Sequence, residues 1–137
     1  MRPLVLDELG LVSTLRRYIS DFARETGAKI TISGVERDEG LDGHQRIALF
    51  RLIQGALSAL VAPCHDTEVE ITVQPEEAQL VIRLDATSIG PNGHNRVGHF
   101  AEDSYTDDSL DLIGASLQRE ALPDGERLSI IVPVTRN

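Results

Sequence analysis

The sequence predicts a two-layer α/β sandwich of the α+β kind, with helices against one face of a mixed, largely antiparallel sheet. Three observations carry this expectation. Residues 42–61 hold apolar side chains at helical spacing, residues 68–84 alternate with period two on either side of a short turn, and residues 117–134 do the same around Pro123, Asp124 and Gly125. A chain of 137 residues is long enough for one core, so residues 1–137 are expected to form a single domain.

The central helix is the best-marked element. Asp42 and Gln45 have the spacing of a capping box, in which each side chain satisfies the other residue's backbone N–H. Ile47, Phe50, Ile53, Leu57 and Leu60 then recur at three and four, and Leu49, Leu52, Ala56 and Val61 widen the apolar face. No charged residue follows Arg51 until Asp66, so the second half of the helix is expected to be buried nearly all round, ending at Pro63. Gly55 and Ala59 stack on one face of it, and a mid-helix glycine costs about 1 kcal/mol relative to alanine. Close packing or a lapsed function would each account for them.

Before that helix, residues 2–6 read as extended, with Leu4 and Leu6 to one side. Residues 8–25 read as a helix with Val12, Leu15, Ile19 and Phe22 inward and Arg16, Arg17 and Asp21 outward, stopped by Gly27. Residues 29–33 switch to period two, placing Ile30 and Ile32 on one strand face, and the polar run 35–40 leads on.

After it, Val69, Ile71 and Val73 alternate with polar residues, and a turn at 75–78 joins them to Leu80, Ile82 and Leu84, interleaved with Val81 and Arg83. Residues 87–108 show no period and are expected to be a long loop, which in a compact domain is usually a functional lid or a disordered segment. A short helix is expected at 109–113, ending at Gly114. A second hairpin then joins residues 117–122 to 128–134, with Leu128, Ile130, Val132 and Val134 facing one way.

The net charge of −9 disfavours nucleic acid and anionic membrane surfaces as partners. The single cysteine, Cys64, cannot form an internal disulfide, and its simplest role is that of a small buried hydrophobe. The longest uncharged run is too short to span a bilayer, and no signal segment is present, so a cytoplasmic setting is expected.

His94, His99 and Asp103 share one loop but fit no metal-ligand spacing, so no metal is expected. Glu102, Asp103, Asp107 and Asp108 lack the alternation and glycine of a calcium loop and suit a solvated face or helix N-terminal charge better. Ser58, Ser88 and Ser104 have no nucleophile-elbow context, and His44 and His65 are most simply exposed. No residue is expected to be catalytic.

Three stretches together resemble one family. They are residues 2–11, RPLVLDELGL; residues 48–54, ALFRLIQ; and residues 112–117, LIGASL, followed by a strand ending in Val132, Pro133 and Val134. In this order, over nearly the whole chain, they resemble the catalytic, ATP-binding domain of bacterial sensor histidine kinases, in the subfamily similar to nitrate and membrane-fluidity sensors. That domain belongs to the GHKL ATPase superfamily and has the Bergerat-type fold, which agrees with the layers expected above.

The resemblance also implies where chemistry should lie. The family's central helix carries a Glu, acting as base or positioning water, and four residues later an Asn that helps hold Mg²⁺. Aligned on residues 51–54, RLIQ, those places fall at Gly55 and Ala59, which can neither ligate nor accept a proton. The family's Asp-x-Gly-x-Gly motif, whose Asp recognises adenine, falls at residues 85–89, with Asp85 as the Asp and Thr87 and Ile89 in place of the glycines. In the alternative register Leu84 takes the Asp place. The phosphate-cradling Gly-x-Gly turn falls near residues 100–102, which hold no glycine, while Glu102 and Asp103 would repel a triphosphate.

Residues 87–108 are therefore expected to be a degenerate lid that either folds into the vacated space through Ile89, Val97 and Phe100 or stays mobile. The expected function is a degenerate, pseudokinase-like module of two-component signal transduction that works by protein contact and uses no cofactor. Its partner would be a kinase helical hairpin or a response-regulator receiver, and it could form a homodimer. The alternative is a divergent but active catalytic domain that binds ATP and Mg²⁺. The phosphate-accepting His of such a kinase lies on a two-helix segment upstream of this domain, so the chain is expected to be either a fragment or a stand-alone relative.

Overall fold

The computed structural model describes residues 4–34, 41–61, 67–88, 104–123 and 125–134. In chain order the elements are α1 (Leu4–Thr26), β1 (Lys29–Gly34), α2 (Gly43–Val61), β2 (Thr67–Glu76), β3 (Gln79–Ser88), α3 (Ser104–Ile113), β4 (Ser116–Leu122) and β5 (Gly125–Pro133).

The strands form one five-stranded sheet in the order β1-β2-β3-β5-β4. β1 runs parallel to β2, and the other neighbours are antiparallel. The sheet is thus mixed and largely antiparallel, with α1 and α2 packed on one of its faces, as the sequence pattern requires.

Alternation decides that face. Val69, Ile71 and Val73 of β2, Leu80, Ile82, Leu84 and Ala86 of β3, and Leu128, Ile130 and Val132 of β5 are all buried. They form one core with Leu11, Val12, Leu15 and Ile19 of α1 and the inner side of α2, while α3 contributes Leu110 and Ile113. Ile30 and Ile32 of β1 pack at its margin. Burying this much apolar surface is the main force holding the layers together, at about 25 cal/mol per Å².

α1 departs from expectation at its start. Residues 4–6 are helical rather than extended, and the break comes at Gly10 (φ 82°, ψ 178°), which divides α1 into two helical pieces. Glycine reaches that conformation without the Cβ clash other residues meet. Two alternating leucines were too short a pattern to distinguish strand from helix. Beyond the break, the Thr14 hydroxyl donates to the Gly10 carbonyl at 2.8 Å. Arg16, Arg17 and Asp21 face solvent as expected. Gly27 ends the helix at φ 79°, its N–H donating to Ala23 O at 2.8 Å.

The capping box forms in full. Gln45 N donates to Asp42 Oδ1 at 2.8 Å, and Asp42 N donates to Gln45 Oε1 at 3.0 Å. The burial of α2 is narrower than its sequence suggests, because Arg51, Gly55 and Ser58 are exposed and Gln54 and Ala59 half-buried. Lack of charge did not imply full burial: small residues line the strip that the core leaves uncovered.

The hairpin turn is tighter than residues 75–78, since Pro75 pairs with Leu80 and Glu76 with Gln79. Only Glu77 and Ala78 turn the chain, with Ala78 at φ 61°. The aperiodic stretch 87–108 is shorter than expected at both ends, because Thr87 and Ser88 continue β3 and α3 begins at Ser104. β5 likewise starts at Gly125 rather than residue 128. Residues 35–40, Pro63, Cys64, His65, Ile89, His94, Val97, His99, Phe100, Glu102 and Asp103 lie outside the described residues.

Candidate functional site

The sites expected from sequence fall on two elements, α2 and the end of β3. On α2, Gly55 is exposed and Ala59 half-buried, one turn apart on the side away from the core. Close packing therefore does not explain the glycine. Neither residue offers a divalent cation a side-chain ligand.

Tyr18 reaches the same strip from α1. Its ring lies 5.7 Å from Phe22 and 5.7 Å from Phe50, edge-on to the latter, and its hydroxyl hydrogen-bonds with Ser58. Burial raises its pKa above the ordinary tyrosine value; the Ser58 hydroxyl opposes that shift and the charge of Glu25 adds to it.

At the end of β3 the pleat separates neighbours. Leu84 and Ala86 point into the core beneath the helices and are fully buried. Asp85 and Thr87, one residue out of phase, point to the opposite face of the sheet. There Asp85 lies opposite Arg127 of β5 and Glu70 of β2. Arg127 grips it in a fork, Nε 2.7 Å from Oδ1 and Nη2 3.3 Å from Oδ2, with Glu120 3.7 Å from Nη1 on the far side. The hydrogen bond and charge of Asp85 raise the Arg127 pKa further.

The structure thus brings Asp85 together with Thr87, but not with Gly55 and Ala59; the sheet lies between them. On the helix side of the sheet the end of β3 presents Leu84 and Ala86, which is the register in which Leu84 stands at the Asp place. Sequence reasoning missed Arg127. Its parity was readable, since Leu128, Ile130 and Val132 alternate away from it, but the β3–β5 pairing that makes it Asp85's partner was not.

Among the described residues, no group of three or more His, Cys, Asp or Glu side chains is placed to hold a metal ion. Among them also, no helix is long and apolar enough to cross a membrane.

The chain superposes on the catalytic domain of the histidine kinase ThkA with a TM-score of 0.65 and 14% identity, covering 93% of both chains. It carries the catalytic-domain fold of sensor histidine kinases. A blue-light activated histidine kinase of Erythrobacter litoralis, EL346, gives a TM-score of 0.64 at 14% identity, over 90% of this chain and 42% of that one.

In sequence the chain is similar to two further histidine kinases. It is 26% identical over 136 residues to the signal transduction histidine-protein kinase/phosphatase DegS of Brevibacillus brevis, covering 98% of this chain and 35% of that protein. It is 39% identical over 79 residues to DegS of Bacillus subtilis (strain 168), covering 55% of this chain and 20% of that protein. The chain therefore spans about a third of the length of the first relative. No family model matches the chain.

Proposed function

We propose that this domain serves two-component signal transduction as a histidine-kinase-type module that has lost Mg²⁺-ATP handling and acts by protein contact. One observation carries the reading: the carboxylate expected to recognise adenine, Asp85, is held by Arg127 on the sheet face opposite α2. On the helix side the corresponding positions are the apolar Leu84 and Ala86. Gly55 and Ala59 add no side-chain ligand, so the described residues at the expected Mg²⁺ positions do not fit the cation.

Binding would then lack several charge-assisted contacts worth about 1.5 to 3 kcal/mol each. The partner fitting this fold is a response-regulator receiver or a kinase helical hairpin. The histidine kinase ThkA has been seen in complex with the response regulator TrrA, and this chain superposes on that kinase with a TM-score of 0.63 at 14% identity over 91% of this chain.

A second reading, a divergent domain that still binds ATP, draws on the exposure of the strip Arg51, Gly55 and Ser58, which leaves one side of α2 uncovered by the core. Limited proteolysis with and without saturating ATP and Mg²⁺ separates the two. The proposed function predicts identical cleavage across residues 86–108; protection of that stretch on adding nucleotide supports the second reading instead.

A further inference from the structure

We infer that Gln45 is a clamp that fastens the end of α3 and the end of β5 to the first turn of α2. Its side-chain oxygen accepts from Asp42 N within the capping box, leaving the amide nitrogen free to serve elsewhere. That nitrogen donates to Pro133 O at 2.9 Å and to Ile113 O at 3.4 Å. A capping box requires only the acceptor, so the two donated bonds are an additional task placed on the same residue.

The accepting carbonyls belong to chain ends that need partners. Ile113 is the last residue of α3, where helix carbonyls lack intrahelical donors. Around it, Ala115 N donates to Leu110 O at 2.8 Å and Gly114 N to Asp111 O at 3.2 Å, which leaves Ile113 O to Gln45. Pro133 is the last residue of β5, and the next residue, Val134, donates to Ala78 O in the β2–β3 turn at 3.1 Å. One amide therefore joins three chain ends that are far apart in sequence.

The consequence is coupling. α3 is held at its C-terminus by the residue that also caps α2, so displacing α3 removes bonds from the side chain that orders the first turn of α2. Movement of α3, the helix that presents Leu112 at 80% exposure beside Asp108 and Asp111, is thereby transmitted to the helix that carries Gly55 and Ala59.

The substitution Gln45→Glu separates the two tasks. A glutamate keeps the acceptor for Asp42 N and suits a helix N-terminus, but it loses both donors and places a carboxylate against two carbonyl oxygens. Amide hydrogen exchange is followed in the wild type, Gln45→Glu and Gln45→Ala.

In Gln45→Glu, exchange at Gly114, Ala115 and Val134 should rise on the order of tenfold, while Arg46 and the core strand amides of Ile71 and Ile82 stay within about twofold of wild type. In Gln45→Ala, Arg46 should rise as well. Unchanged exchange at Gly114, Ala115 and Val134 in Gln45→Glu overturns the inference. So does an equal rise at every amide, core strands included, which would make Gln45 a contributor to global stability rather than a clamp.

Discussion

Asp85 and Arg127 face each other across β3 and β5 on the sheet surface opposite the helices, joined by two hydrogen bonds of 2.7 and 3.3 Å. The pair is partly exposed, so solvent weakens it, but its geometry is that of a fork gripping a carboxylate. It engages Asp85, the side chain expected from the resemblance to recognise adenine, on the sheet face opposite α2.

Asp85→Asn and Arg127→Gln should each lower the thermal midpoint by less than about 4 °C. The double variant should lose little more than the larger single loss, since both remove one interaction. Thermal unfolding of the four proteins checks this, and strictly additive losses would show that the two side chains are not coupled.

Asp42→Ala removes the acceptor for Gln45 N and should destabilise the domain by about 0.5 to 2 kcal/mol. Denaturant unfolding gives the number. A change near zero would mean that water or another group caps α2 equally well.

Ala78 is held at φ 61° in the two-residue turn between β2 and β3, where a Cβ is strained. Ala78→Gly should stabilise by roughly 1 kcal/mol, the relieved strain outweighing the extra freedom of the unfolded chain. An increase in the urea midpoint without a change in slope is the expected result.

Tyr18 gives a signed pH dependence. Burial, the largest influence, raises its pKa above the ordinary tyrosine value, so between the unfolded and folded values the native state binds more protons than the unfolded state. Its contribution is fully present below the unfolded pKa and is lost as pH rises through the folded one. Tyr18→Phe should therefore show a shallower loss of stability above about pH 10 than wild type. Below that pH it should lose about 1 kcal/mol for the missing bond to Ser58.

The layers and most elements were legible because periodicity is a direct image of burial. Leu80, Ile82 and Leu84 alternate, and so they face the core; Asp42 and Gln45 are three apart, and so they cap. The same alternation already implied that Asp85 must share a face with Val81 and Arg83, away from α2. What it could not supply was contact between distant segments: that β5 lies beside β3, bringing Arg127 to Asp85, or that Gln45 meets Pro133 and Ile113. The Gly10 break was hidden for a different reason, since apolar residues at helical spacing continue on both sides of it.

The central claim is that the domain no longer handles Mg²⁺-ATP. Calorimetric titration of the purified chain with ATP and Mg²⁺ tests it most directly. The account predicts no saturable binding tighter than about 1 mM, equivalent to roughly −4 kcal/mol; a saturable isotherm with a micromolar Kd and one nucleotide per chain would contradict it.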